Sequence, residues 1–417
     1  MLIAAAVVLG VTYVAIALAR LPFTNVDRPS AAFIGAVLMV LLGVLTFQQA
    51  VAAINFDTIF LLLGMMLLVA VLDRAGFFTY LAIRAMSIGK TPTRLLVTVV
   101  LSTGVLSAFL VNDAVVFLFT PVVIRACRML KTNPVPYLIA EAMASNVGST
   151  ATIVGNPQNM LIGIASGISF ARFFLHLLPI VVVATAALIL VVFLFYRKEF
   201  HHRFHPDMEL AHEPHKIDYK ALRRLMPIVA LTVLAFFLSS YVGVSIPLIA
   251  LAAGAAVLLT SGQRPTEVIR DVDWVLLLFF AGLFVVIGGA KQAGVLDFFL
   301  DRIHPTPDVA GIVSIHVVST LASQVVSNVP FTILAIPAIE NVPGDALWLS
   351  LAAGSTLGGN ITLIGAVANL IVAEGARREG VQVRFGEFLK VGLAVTAVTV
   401  AISIAILVAE LKLGLIQ

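Results

Sequence analysis

Two stretches of this chain place amides and hydroxyls among almost unbroken apolar sequence, and the two are chemically alike. Ser145, Asn146, Gly148, Ser149, Thr152, Gly155, Asn156 and Asn159 fall in "SNVGSTATIVGNPQN"; Ser355, Thr356, Gly358, Asn360, Thr362 and Asn369 fall in "STLGGNITLIGAVAN". Such side chains bind rather than react. A helix broken at membrane depth exposes unpaired N–H groups on one half and unpaired C=O groups on the other, so it can hold an anion and a cation with few formal charges. Gly148, Gly155 and Pro157, with Gly358, Gly359 and Gly365, are poor choices for an uninterrupted helix and mark where breaks are expected. Small and hydroxylated residues also let membrane helices pack closely. That plainer reading fits one segment better than two that align.

Each segment follows a second polar cluster, "LVNDA" at Leu110–Ala114 and "VSNVP" at Val326–Pro330, which adds Asn112, Asp113, Ser327 and Asn328 to the candidate binding residues. A carboxylate at membrane depth is costly unless paired, solvated or used. Asp113 is therefore the candidate coupling residue, able to exchange a proton for a cation; a hairpin-capping Asp is the alternative. The equivalent position in the second cluster is Val329, so coupling is expected to be asymmetric.

The elements that must position these residues are membrane helices. Of 417 residues, 60% are hydrophobic and 12% charged, with a mean hydropathy of +1.08, outside the range of soluble domains. Apolar runs near 2–19, 30–50, 57–72, 137–165, 174–196, 225–240, 244–260, 273–290, 345–372 and 391–411 predict ten crossings. The runs near 95–130 and 309–339 are too long for one crossing and too short for two. With a polar cluster at the middle, each reads as a re-entrant hairpin.

Counting hairpins as returning to their own side, all of the 26 Lys and Arg except Arg172, Lys291, Arg302 and Lys412 collect on one face. The positive-inside rule makes that face cytoplasmic and both termini periplasmic. "SAFLVNDAVVFLFTP" (Ser107–Pro121) aligns without a gap on "SQVVSNVPFTILAIP" (Ser323–Pro337), as the two Asn-rich segments align on each other. The fold class expected is an all-α polytopic membrane protein of two repeats, 1–196 and 225–417, joined by a cytoplasmic linker at 197–224. Five crossings per repeat is an odd number, so the second repeat is inverted relative to the first, with its broken helix at mid-membrane.

Other residues carry less. Glu141, His176, Lys291, His316 and Glu374 lie near expected helix ends, where snorkelling or interfacial pairing suffices. "HHRFHPDMELAHEPH" (His201–His215) is interrupted by Pro206 and Pro214 and reads as a solvated linker, so no metal site is expected. Cys127, the single cysteine, reads as a small packing residue. No catalytic pair or phosphate loop lies in the membrane plane, and the scattered basic residues do not suit nucleic acid. Neither an enzyme nor a cofactor is expected. A channel or an intramembrane enzyme is the remote alternative, although two inverted gates suit alternating access better than a continuous pore.

"VNDAVVFLFTP", "SNVGSTATIVGNPQN", "VSNVPFTILAIP" and "GGNITLIGAVANLIVAE" resemble the ion transporter superfamily, which holds the arsenite permeases, the NhaD-type antiporters, the pink-eyed-dilution-type permeases and the divalent anion:sodium symporters. The likeness runs through nearly the whole chain. It implies a secondary active transporter of a bacterial or archaeal inner membrane, a homodimer in contact with lipid, whose hairpin-bearing body moves as an elevator. The "ND" and "N-x-P" tips look most like the arsenite branch, implying proton-coupled efflux of arsenite or antimonite and, in that branch, a soluble ATPase subunit as partner. "GNPQN" and "IGAVAN" also look like the NhaD and pink-eyed-dilution branch. Sodium-coupled uptake of a dicarboxylate, sulfate or another small anion is the alternative.

Overall fold

Backbone polar groups in lipid must be satisfied within their own segment, which leaves the helix as the available solution for an open chain. The computed structural model describes residues 1–18, 26–89, 91–201, 217–296 and 305–417, and these are all-helical. The first half runs α1 (Leu2–Ala17), α2 (Arg28–Leu41), α3 (Phe47–Ala53), α4 (Phe56–Arg74), α5 (Phe77–Ile88), α6 (Pro92–Phe109), α7 (Asn112–Met129), α8 (Val135–Ser149), α9 (Pro157–Ser166) and α10 (Phe170–Phe195). The second runs α11 (Tyr219–Val242), α12 (Ile246–Thr260), α13 (Pro265–Arg270), α14 (Trp274–Gln292), α15 (Val309–Val326), α16 (Asn328–Ile339), α17 (Ala346–Gly358), α18 (Val367–Arg378) and α19 (Phe385–Lys412).

Helix starts follow local chemistry. The side chains of Thr91, Asn156, Ser169 and Asp308 accept from backbone N–H groups three residues on, at 3.2, 2.8, 3.3 and 2.8 Å, and Pro92 and Pro157 open their helices. Gly167 ends α9 in the left-handed region at φ +67°.

Among the described residues, seven helices are long and apolar enough to cross a membrane, and two of them, α6 and α15, are hairpin arms. The expected crossings at 2–19, 30–50 and 244–260 are helices of 16, 14 and 15 residues, while those at 137–165 and 345–372 each come in two pieces. The run at 30–50 divides because Gly43 turns the chain at φ +70° and Thr46 starts α3 with a reciprocal cap to Gln49. Helix α5 answers to no expected element; twelve residues containing Arg84 form too short a run to read as a crossing. The histidine-rich linker after His201 lies outside the described residues, as do Arg20, Lys90, Arg203, Lys216 and Arg302 of the charge asymmetry.

The helices sort into two packed groups. In one, α2 lies along α14 and α4 along α12, flanked by α1 and α11. In the other, α6 packs on α8, α15 on α17, α7 on α18, α9 on α16, and α10 on α19. Each partnership has a counterpart with the halves exchanged: α2/α14 with α12/α4, α7/α18 with α16/α9, and α6/α8 with α15/α17. Gly148 and Gly358 lie within α8 and α17 rather than in the breaks, and they permit this packing. A Cβ on Gly148 would overlap the Gly104 carbonyl of α6, and one on Gly358 would come within 2.6 Å of Thr320 Cα on α15.

Candidate functional site

Four interruptions converge within the second group: the hairpin turns at 110–111 and 327, and the breaks at 150–156 and 359–366. Each break is closed by an Asn in the first turn of the following half-helix. Asn159 Nδ2 donates to the carbonyls of Ser149 (3.1 Å), Thr150 (3.4 Å) and Thr152 (3.1 Å); Asn369 Nδ2 donates to those of Gly359 (2.8 Å) and Thr362 (2.9 Å). These carbonyls have lost their helical partners, and the amide supplies what the break removed. Thr152 and Thr362 tie their breaks to the hairpins, Thr152 to the Ala108 carbonyl and Thr362 to Gln324 Oε1 at 3.0 Å. A Cβ on Gly155 would overlap the Ser149 carbonyl, so the first break folds on itself only with glycine there.

Asn146 stands where the halves meet. Its Nδ2 donates to Asn360 Oδ1 at 2.8 Å and Asn369 Oδ1 at 3.0 Å, both in the second half, and its Oδ1 accepts from Asn112 Nδ2 at 3.4 Å. The Asn112 N–H donates to the Gly155 carbonyl at 2.9 Å, seating the first hairpin tip on the first break, and Ser145 Oγ reaches the Asn112 carbonyl at 3.5 Å. Asn156 Nδ2 donates to Ser149 Oγ (2.9 Å) and Thr356 Oγ1 (3.4 Å). Nine of the expected residues thus share one buried network: Asn112, Ser145, Asn146, Ser149, Asn156, Asn159, Thr356, Asn360 and Asn369. None is charged. Asn112 Oδ1 is buried without a donor, an orphaned acceptor at the tip of hairpin one.

Other expected residues stand apart from that network. Ser355 bonds back to Leu351 within α17 at 2.6 Å. At the second tip, Ser327 Oγ donates to Asn328 Oδ1 at 3.2 Å, and among the described residues the Asn328 side chain has no other hydrogen bond. Asp113 lines a cavity of about 560 Å³ between hairpin one and the first group, together with Asp73, Asp271 and Asp273. Arg74 beside it is engaged by Asp271 and, at 3.0 Å, by Glu267.

Several polar residues with a part here carried no signal. Gln158 joins the network through Thr356 at 3.2 Å, and Gln324 donates to the Thr320 and Gly358 carbonyls at 3.0 and 2.8 Å. Only the gapless alignment of Gln324 on Ala108 could have drawn attention to it. Glu141 and His316, expected near helix ends, are fully buried. His316 is satisfied by the Ile312 carbonyl (2.8 Å) and Ser403 Oγ (2.9 Å). The remaining three pair near helix ends: His176 with Glu410 at 3.0 Å, Lys291 with Glu340 at 2.6 Å, and Glu374 with Arg377 at 3.0 Å.

Residues 13–354 match the model of a family described as citrate transporter (CitMHS). An uncharacterized transporter of Mycobacterium tuberculosis is 33% identical over 417 aligned positions, covering 95% of this chain and 96% of the relative. The P protein of Homo sapiens is 29% identical over 490 positions, covering 94% of this chain and 58% of the relative. Among solved structures, the YdaH transporter of Alcanivorax borkumensis superimposes with a TM-score of 0.61 at 16% identity, covering 98% of this chain and 97% of that one.

Proposed function

The chain belongs to the citrate transporter family, a multi-pass membrane transporter within the broad permease superfamily that its motifs resemble, and we propose that it exports a small inorganic solute, arsenite or antimonite, in exchange for protons. The observation that carries this reading is the uncharged character of the buried network together with its orphaned acceptor, Asn112 Oδ1. Arsenous and antimonous acids are neutral near pH 7 and present O–H groups, which donate to amide and hydroxyl oxygens and accept from amide N–H groups. A multiply charged anion would require a cation beside it, because among the described residues no Lys or Arg bonds to the network. The four carboxylates of the Asp113 cavity also repel free anions on that approach.

Alternating access follows if the group bearing the hairpins slides against the group formed by α2, α4, α12 and α14. The exchanged-halves packing supports inverted repeats and this elevator movement, with Asp113 carrying the coupling proton. The setting proposed is the inner membrane of a bacterium or archaeon, with both termini periplasmic and two copies forming the working unit. The carrier leaves its cargo chemically unchanged and needs no cofactor.

A second reading is favoured by the family description itself: citrate or a dicarboxylate entering with sodium, the cation neutralising the cargo and taking Asn112 Oδ1 as a ligand. Counterflow in proteoliposomes with arsenite, citrate, succinate and sulfate, each with and without proton and sodium gradients, separates the two. Saturable arsenite exchange driven by a proton gradient is the expected result. Sodium-dependent citrate or succinate exchange with no arsenite flux overturns it in favour of the second reading.

A further inference from the structure

Glu141 is the most deeply buried carboxyl group that the binding site does not use. It lies on α8 with no exposed surface, beneath the outer arm of hairpin one. Thr120 Oγ1 on α7 stands 3.0 Å from Oε1, and Oε2 has no partner. On its far side Thr120 touches α18: a Cβ on Gly375 would come within 3.2 Å of Thr120 Cγ2. The acid therefore sits at a three-way junction of hairpin one, the first broken helix and the second.

Among the described residues no base pairs with the Glu141 carboxyl. Helix α8 packs against α6, α7, α10, α17 and α18. Arg94 of α6 and Arg125 of α7 are exposed, and Arg128 of α7 pairs with Glu379 at 2.9 Å. On α18, Glu374 is held by Arg377 and Arg378; on α10, Arg172 pairs with Asp345 and His176 with Glu410. A titratable neighbour that a charge on Glu141 would reach is the Cys127 thiol of α7, two helical turns beyond Thr120 on the same face. An ionised carboxylate in this position would keep most of its lone pairs empty, a cost that buried ions avoid by taking up a proton. The neutral acid fits: its O–H can donate to Thr120 Oγ1 across the same 3.0 Å, leaving Oε2 as a carbonyl-type oxygen.

We propose that Glu141 is a proton-binding site inside the hairpin-bearing body, and that its bound proton is what allows hairpin one to seat against α8 and α18. When the proton leaves to water, the hairpin must lift to hydrate the carboxylate; when it returns, the hairpin closes. The inference rests on hairpin one being a gate but not on which ion drives transport. It adds a second, buried acid behind the gate to the Asp113 that faces the cavity.

The chain's single cysteine makes the test direct, since Cys127 is buried in the same arm. Full-length protein in liposomes is labelled with N-ethylmaleimide across pH, as wild type and as Glu141→Gln, and infrared difference spectra are recorded on both. A carboxylic-acid C=O band present in wild type and absent in Glu141→Gln is expected. So is Cys127 labelling that accelerates with pH on the order of tenfold more in wild type than in the variant, reflecting an unpaired buried charge that opens the hairpin. Thr120→Val, which takes the hydroxyl partner from the acid but leaves the acid in place, should shift the band without removing it. Matching labelling profiles, or no acid band assignable to Glu141, overturn the inference. Sodium-driven flux with the band and labelling difference intact removes proton coupling and leaves this proposal standing; proton-driven flux with identical profiles does the reverse.

Discussion

Hairpin one with its break and hairpin two with its break share a skeleton but are dressed differently. In the first unit the whole break from Thr150 to Asn156 is buried, and the tip is bonded to it through the Asn112 N–H and the Gly155 carbonyl. In the second, residues 361–364 are partly open, with Ile364 39% exposed, and the tip holds itself through Ser327 and Asn328. The first tip carries a carboxylate and the second a valine. The two units thus share the bonds that make a break stable, the Asn159 and Asn369 clamps, and differ in those around the tip. One unit is sealed and carries the ionisable group; the other is nearer to release.

The strongest way to break that comparison is to erase the charge at the first tip. Asp113→Asn is expected to abolish gradient-driven accumulation without lowering thermal stability, because it removes a carboxylate from a cavity that also holds Asp73, Asp271 and Asp273. Full proton-driven transport by this variant in proteoliposomes would assign coupling elsewhere. Next in size is the contrast between tip asparagines. Asn112→Ala removes the bond to Asn146 and the orphaned acceptor, for an expected loss of about 1.5–3 kcal/mol in apparent solute affinity. Asn328→Ala removes one contact to its neighbour and should cost about 0.5–1 kcal/mol. Equal losses in half-saturation for counterflow would mean that the tips contribute alike.

The linkage of break to hairpin gives a third, smaller contrast. Thr152→Val strands the Ala108 carbonyl in a dry environment and should lower stability by about 1–3 kcal/mol. Thr362→Val leaves Gln324 in a partly open break, where water can replace the hydroxyl, and should cost under about 1 kcal/mol. Thermal unfolding of the two variants in detergent reads the difference. A reversed order would show that the exposure of the second break does not reach Thr362.

Much of the skeleton was legible because the two halves resemble each other in sequence. The spacing from Asn112 to Asn159 recurs, shortened by six residues, from Asn328 to Asn369, and each Asn occupies the structural position its alignment implies. The convergence on Asn146 was not legible, since bonds to Asn360 and Asn369 cross more than two hundred residues and depend on how the halves dock. Glu141 was misjudged for a simpler reason. Counted from the edge of its apolar run it reads as interfacial, yet the helix starts at Val135 and packs among α6, α7, α10, α17 and α18. Asp113 was found by its charge, but which way it points is a matter of helical phase, and phase at a hairpin tip depends on where the turn falls.

The smallest contrast concerns the turns themselves. Ser327 holds φ +69° and ψ 160°, a region that glycine alone occupies without strain, whereas Leu110 and Val111 turn the first tip at ordinary angles of φ −123° and −56°. Strain of about 1–3 kcal/mol is thereby confined to the second tip, offset in part by the Ser327 hydroxyl bond to Asn328. Ser327→Gly relieves the strain but loses the bond and adds about 0.5–1 kcal/mol of chain entropy to the unfolded state, so its net effect should be near zero. Ser327→Ala keeps the strain and loses the same bond, and should be about 1 kcal/mol less stable than Ser327→Gly in thermal unfolding. Val111→Gly, at a tip with nothing to relieve, should only destabilise. If Ser327→Ala and Ser327→Gly unfold at the same temperature, the backbone at the second tip stores nothing, and its readiness to open must come from the exposed break alone.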